Sequence, residues 1–342
     1  MKGRFKILLL QIFFGLGLFL ILGEFALRLS GRCLTYLEKT QHRYVNPYNQ
    51  RLDSWYYVYP PNSKAEHNEA EFHTAETTNA MGLVGREIPV VKPDSAKWIF
   101  FIGDSFTEGH GADSSHSMPV YFQQLIDSAG MKAEVFNAGI AGSDPFFEYV
   151  LLKDKLIQHH PDEVIVSINE SDFYDYIIRG GMERFKKDGT VQYRKSPPME
   201  PLFHYSHLFR AFMFAFGSPV MLWKPQFDKQ KKEALQQITE CLYNMNSLCR
   251  EHGVKLIVLL HPVPDVFTKT GGKDNISEIE NYINRDSITF INTYQQFKPY
   301  LNRNNYLQYA WKLNNHFNAK GYKIYAEIIF ADLNKQLGDI CN

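Results

Sequence analysis

From residue 97 onward, short apolar runs alternate with longer stretches in which apolar residues return every three or four positions. The runs Lys97–Ile102, Glu134–Asn137, Glu163–Ile168, Lys255–Leu260 and Ile288–Ile291 are bounded by turn residues. That is the pattern of strands buried on both faces of a parallel sheet. The longer stretches predict helices over Met118–Ala129, Phe146–His160, Asp228–Glu251, Ile276–Asn284 and Ala319–Leu337. The period is clearest in Asp228–Glu251, where Leu235, Ile238, Leu242, Met245, Leu248 and Cys249 keep helical spacing and Gly253 follows as a stop. Five strands alternating with helices predict a three-layer α/β/α unit around a five-stranded parallel sheet, and right-handed crossovers leave few other windings.

Three stretches depart from this rhythm. At the start, Lys2, Arg4 and Lys6 precede the apolar run Ile7–Leu22, and Phe25, Ala26 and Leu27 extend it past Glu24. About 20 apolar residues span a bilayer core, and a basic flank marks the cytoplasmic side. A cleavable signal peptide is the competing reading. No small-x-small cleavage site follows the run, however, and Arg32 separates Gly31 from Cys33, unlike a lipoprotein signal. Residues 1–30 are therefore read as an uncleaved single-pass membrane anchor, with the C-terminal domain outside the cytoplasm, periplasmic or extracellular. Residues 31–96 are polar, aromatic and proline-punctuated, and read as an extended arm in which Tyr56–Tyr59 could add a short strand. Residues 97–342 form the α/β domain, interrupted at 179–227 by an aromatic insertion. His204, His207, Arg210 and Pro219 make that insertion a poor second membrane helix. A peripheral helix, a lid over a site and a surface resting on the bilayer all fit it.

Composition narrows the partners. Lys plus Arg and Asp plus Glu balance at 37 each in 342 residues, which leaves no global field to attract nucleic acid. A chain of this length buries enough surface to fold without disulfides. Cys241 and Cys249 lie about 12 Å apart along one helix, too far to bridge, and no Cys/His spacing typical of zinc occurs.

The candidate chemistry sits at the ends of the first three strands. Gly103-Asp104-Ser105, Gly142 and Asn169 follow them in turn, and open α/β sheets bind ligands just beyond the carboxyl ends of their strands. A serine nucleophile with nearby hydrogen-bond donors suits attack on an ester. His316, in Asn314-Asn315-His316-Phe317-Asn318, is the candidate base; His261 after the fourth strand reads as a substrate-contacting or structural residue, and only secondarily as a base. Asp104 reads as a turn-tying residue, and Asp172 and Asp175 as a solvated face beyond Asn169.

These residues fall in blocks that resemble those of the SGNH/GDSL hydrolase family. Gly103–Gly109 (Gly-Asp-Ser-Phe-Thr-Glu-Gly) is similar to its first block, Phe136–Gly142 to its second, Ser167–Glu170 to its third in the asparagine alone, and His316 with Asn318 and Gly321 to its last. Thr78–Glu87 is similar to a lead-in of membrane-anchored members, and the likeness runs over about 79–337. The resemblance implies a flavodoxin-like SGNH fold, Ser105 as nucleophile and His316 as base. It also implies an oxyanion hole from Ser105, Gly142 and Asn169, with no metal or organic cofactor. It implies an acyl-ester substrate, and the location points to ester-modified glycans or lipids of the cell envelope. The family's aspartate before the histidine is missing: Leu313 and Asn314 occupy those positions. Asn314 can orient an imidazole but cannot answer its positive charge. A serine esterase therefore stands beside two alternatives on the same fold, an O-acyltransferase and a weakened or non-catalytic glycan-binding or assembly protein.

Overall fold

The structure is a computed structural model that describes residues 2–30, 58–93, 95–187, 191, 202, 205–216, 224–267, 276–285 and 287–337. Cys33, Cys341, Tyr56, Tyr57 and the Ser196-Pro197-Pro198 loop lie outside the described residues.

A helix over Lys2–Leu29 opens the chain, and its segment Arg4–Leu29 is long and apolar enough to cross a membrane. Within the stretch read as an arm, β1 (Lys64–Asn68) and β2 (His73–Thr77) pair as an antiparallel hairpin. Val58 and Tyr59 belong to no strand. Five further strands follow: β3 (Lys97–Gly103), β4 (Ala133–Gly139), β5 (Glu163–Ile168), β6 (Lys255–Leu260) and β7 (Thr289–Asn292). They form one parallel sheet in the order β4-β3-β5-β6-β7, the flavodoxin-like order whose direction of winding reverses between β3 and its two neighbours.

The sheet separates two apolar cores, and β3 shows how the sequence fills both. Trp98, Phe100 and Ile102 enter one core while Ile99 and Phe101 enter the other, because alternate side chains of a strand point to opposite faces. On the first face lie the helices Pro145–Leu151, Glu170–Arg179 and Lys224–Glu251; on the second lie Met118–Ser128 and Ala319–Leu337. Cys241 and Cys249 are free thiols packed in the first core.

Two helical expectations change, and one helix appears that was not expected. The helix expected over Phe146–His160 is α-helical only to Leu151, then widens to a π-turn over Leu152–Leu156 and tightens to 3₁₀ over Ile157–His159. The one expected over Ile276–Asn284 is a 3₁₀ segment, Ser277–Asn281. The three-residue step from Ile276 to Ile279 suits either geometry in so short a piece. Glu170–Arg179 is a helix the pattern did not announce. Asp172 heads it, buried rather than solvated, accepting the Asn169 N–H at 2.8 Å in a capping box. Asp175 is also shielded and paired with Arg179 at 3.0 Å, and burial pushes its carboxyl up to about 7. Within the insertion, helix His207–Phe216 packs on the N-terminal helix. Glu24 accepts hydrogen bonds from the Ser206 hydroxyl (2.8 Å) and the N–H groups of His207 (2.9 Å) and Leu208 (2.8 Å).

Candidate active site

The turn after β3 places Ser105. Asp104 is the N-cap of the short helix Ser105–Glu108: one carboxylate oxygen accepts the Phe106 N–H at 2.9 Å, which leaves Ser105 at the first helical position. Gly109 ends the helix at φ +109°, a conformation that a side chain would strain. The other Asp104 oxygen accepts the Asn169 side-chain amide (2.9 Å) and the Ser171 hydroxyl (3.0 Å), tying the ends of β3 and β5 together.

Ser105 Oγ lies 2.7 Å from His316 Nε2, and His316 Nδ1 lies 2.6 Å from Asn314 Oδ1 and 3.2 Å from the Asn314 carbonyl. Both Asn314 oxygens are acceptors, so the proton belongs on Nδ1, and Nε2 is left with a lone pair toward the serine. The His316 ring stacks on Phe106 with centroids 4.6 Å apart and meets the edge of His110 at 4.8 Å. Burial holds the imidazole below its ordinary range. The Asp104 carboxylate, the Asn314 backbone bond and Glu69 oppose that shift without cancelling it.

Gly142 follows β4 at φ +75°, where its lack of Cβ makes the turn accessible. Its carbonyl accepts a hydrogen bond from Arg179, and Arg184 pairs with Asp144 at 2.8 Å two residues on. Burial alone would raise Asp144, but Arg184 and Arg179 outweigh it and hold the carboxyl below its usual range. The loop carrying Gly142 is thus fastened to the helix that follows Asn169.

Asn169 is fully buried, and its amide nitrogen also lies 3.2 Å from His261 Nε2. Burial drives His261 down to about 4, so the ring is neutral near pH 7 and its Nε2 can accept. The two Asn169 amide hydrogens therefore have partners in Asp104 and His261. Ser105, Gly142 and His316 are half-buried, whereas Asp104, Asn169 and His261 lie beneath them.

The hairpin supplies residues that the sequence did not single out. Glu71, in its turn, accepts the N–H groups of Lys312 (3.0 Å), Leu313 (2.6 Å) and Asn314 (2.9 Å), gripping the loop that carries His316. Phe72 packs on Trp311, whose indole N–H donates to the Gly111 carbonyl at 2.8 Å. Among the described residues, one cluster has metal-type donors, His67, Glu76 and His110.

No family model matches the chain, and no curated protein matches it in sequence. Solved structures similar to it include TesA (13% identity, TM-score 0.45, 69% of this chain and 98% of that one). A protein from Desulfitobacterium hafniense described as lipolytic and of the G-D-S-L family is 15% identical (TM-score 0.39, 68% and 97%). An acetylxylan esterase from Geobacillus stearothermophilus is 16% identical (TM-score 0.43, 69% and 93%). In its strand order and in the order of its four motif blocks, the chain is similar to the SGNH/GDSL hydrolases.

Proposed function

We propose that this protein is a membrane-anchored serine ester hydrolase of SGNH type, working outside the cytoplasm on ester-modified glycans or lipids of the envelope. The observation that carries the reading is the hydrogen-bonded chain Ser105 Oγ–His316 Nε2 at 2.7 Å and His316 Nδ1–Asn314 Oδ1 at 2.6 Å. In this reading Ser105 Oγ attacks the ester carbonyl while its proton passes to His316 Nε2. The charge that develops on the carbonyl oxygen meets the N–H groups of Ser105 and Gly142 and the Asn169 amide, which turns from His261 to reach it. His316 then returns its proton to the departing alcohol. Water, activated by the same histidine, releases the acid and restores Ser105. A sugar hydroxyl in place of water would give an O-acyltransferase by the same steps.

Asn314 favours the second reading, a weakened or non-catalytic glycan-binding protein, since it brings no charge to the imidazolium. A serine-directed alkyl phosphonate separates the two. The enzyme is labelled in wild type and unlabelled in Ser105→Ala, with ester turnover lost in parallel. A folded wild-type protein that takes no label and turns over no acetyl, short-acyl or long-acyl ester is the binding protein.

A further inference from the structure

The hairpin turns a polar face inward. In its register His67 stands opposite Thr74, and Glu76 lies two residues further along the same face. His67 and Glu76 are only 5% and 2% exposed, and His110, just past the helix that begins with Ser105, is 4% exposed. His67 Nε2 lies 2.9 Å from Glu76 Oε2, and one ligand atom from each of the three residues falls within 4.8 Å of the other two. The His67 and His110 rings meet edge to face at 5.1 Å. Among the described residues the second Glu76 oxygen, buried like the first, has no hydrogen-bond partner. Glu108 adds another buried carboxyl to the compartment. Its Oε2 is held by the Tyr59 hydroxyl (2.7 Å) and the Ala141 N–H (2.5 Å), and its Oε1 has no partner among those residues.

A protonated His67 would answer one carboxylate. It would leave the open Glu76 oxygen unexplained, and a buried acceptor without a donor is costly. We propose that His67, Glu76 and His110 bind one divalent transition-metal ion of zinc type. Two imidazole nitrogens and a carboxylate oxygen are a donor set such an ion takes, with a fourth position left for water. Ligands about 2.0–2.2 Å from a tetrahedral centre stand roughly 3.3–3.5 Å apart. Small rotations that open the His67–Glu76 contact and draw in the widest pair would complete the site. The ion would bond the hairpin to the segment beginning at Gly109, with His110 lying against His316. It would act by positioning, and the site stands whether or not Ser105 is a nucleophile. His67 and Glu76 are nine residues apart and His110 lies a further 34 along, unlike the close ligand spacings of structural zinc motifs.

The test uses the full chain in detergent, stripped with a chelator and then titrated with zinc(II) and separately with cobalt(II). Expected are one ion per chain, the strong visible absorption of four-coordinate cobalt, and a melting temperature that chelation lowers and zinc restores. His67→Gln and Glu76→Gln should each weaken binding by more than the roughly 10–100-fold that loss of an outer-shell partner costs. His73→Gln, on the exposed face of the same hairpin, should bind like wild type. Substoichiometric binding, a weak six-coordinate cobalt spectrum, or unchanged affinity in both ligand variants overturns the site. If a variant fails to fold, wild type decides alone: a melting temperature indifferent to both chelator and zinc rejects the proposal.

Discussion

In the proposed mechanism Ser105 gives up its proton and His316 becomes an imidazolium whose charge must be answered by its surroundings. Asn314 Oδ1 at 2.6 Å fixes the tautomer but brings only a dipole. Help by charge comes from Asp104 and Glu69, and burial still leaves the ring below its ordinary pKa. A base with a lowered pKa stays neutral further into acid. The acid limb of kcat/KM should therefore lie below the ordinary histidine value of about 6.5, and a pH–rate profile with a short-chain ester measures it. A limb at or above that value would mean that burial does not govern the ring. Asn314→Asp puts a carboxylate where the acceptor already stands. It should shift the acid limb upward and raise turnover, by no more than the roughly 10⁴-fold that the aspartate's charge is worth in a Ser-His-Asp protease. A variant whose limb moves without a gain in turnover would show that charge at Nδ1 is not what limits the reaction.

At the scale of elements, the turns that hold the site were legible because turns are local. Asp104 as a turn-tying residue, and Gly142 and Asn169 in the turns after their strands, each follow from neighbours within a few positions, whereas the cap at Asp104 and the positive φ of Gly142 are seen only in the structure. The hairpin Lys64–Thr77 was not legible: its strands, Lys-Ala-Glu-His-Asn and His-Thr-Ala-Glu-Thr, lack the apolar alternation that announces a half-buried strand. Its inward face is polar, and its main service, the grip of Glu71 on the His316 loop, joins residues 241 to 243 positions apart. Three N–H groups converging on one carboxylate predict a specific defect. Glu71→Ala should leave the loop free to shift, and a displacement of about 1 Å can cost on the order of 100-fold in rate. The fall should appear in kcat more than in KM, with a modest loss of melting temperature. Glu71→Gln keeps one acceptor oxygen and should recover part of the rate. Equal kcat in wild type and Glu71→Ala would reduce the hairpin to packing.

At the scale of the whole molecule, Glu24 joins the amino-terminal helix to the aromatic insertion. The apolar segment Arg4–Leu29 has 26 residues, about 39 Å of helix by rise. That exceeds a hydrocarbon core of about 30 Å, so its last turns can extend into the headgroup region. Glu24 pairs with Arg28 at 2.8 Å and caps the helix His207–Phe216, while Tyr205 and Phe212 remain exposed beside them. In the proposed topology this contact favours a helix resting at the bilayer over a lid closing on Ser105, since the partner it grips is the amino-terminal helix. The basic residues Lys2, Arg4 and Lys6 precede the span, and positive charge stays on the cytoplasmic side. A reporter fused after Asn342 should accordingly be active only outside the cytoplasm, and the protein should keep its amino-terminal segment when its mass is measured from membranes. A cytoplasmic reporter signal would remove envelope esters from consideration. A shortened amino terminus with an external reporter would keep the substrate class but take away the partner of helix His207–Phe216. The fused protein would then have to show that helix released, as faster proteolysis within 205–216 than in a chain that retains the anchor.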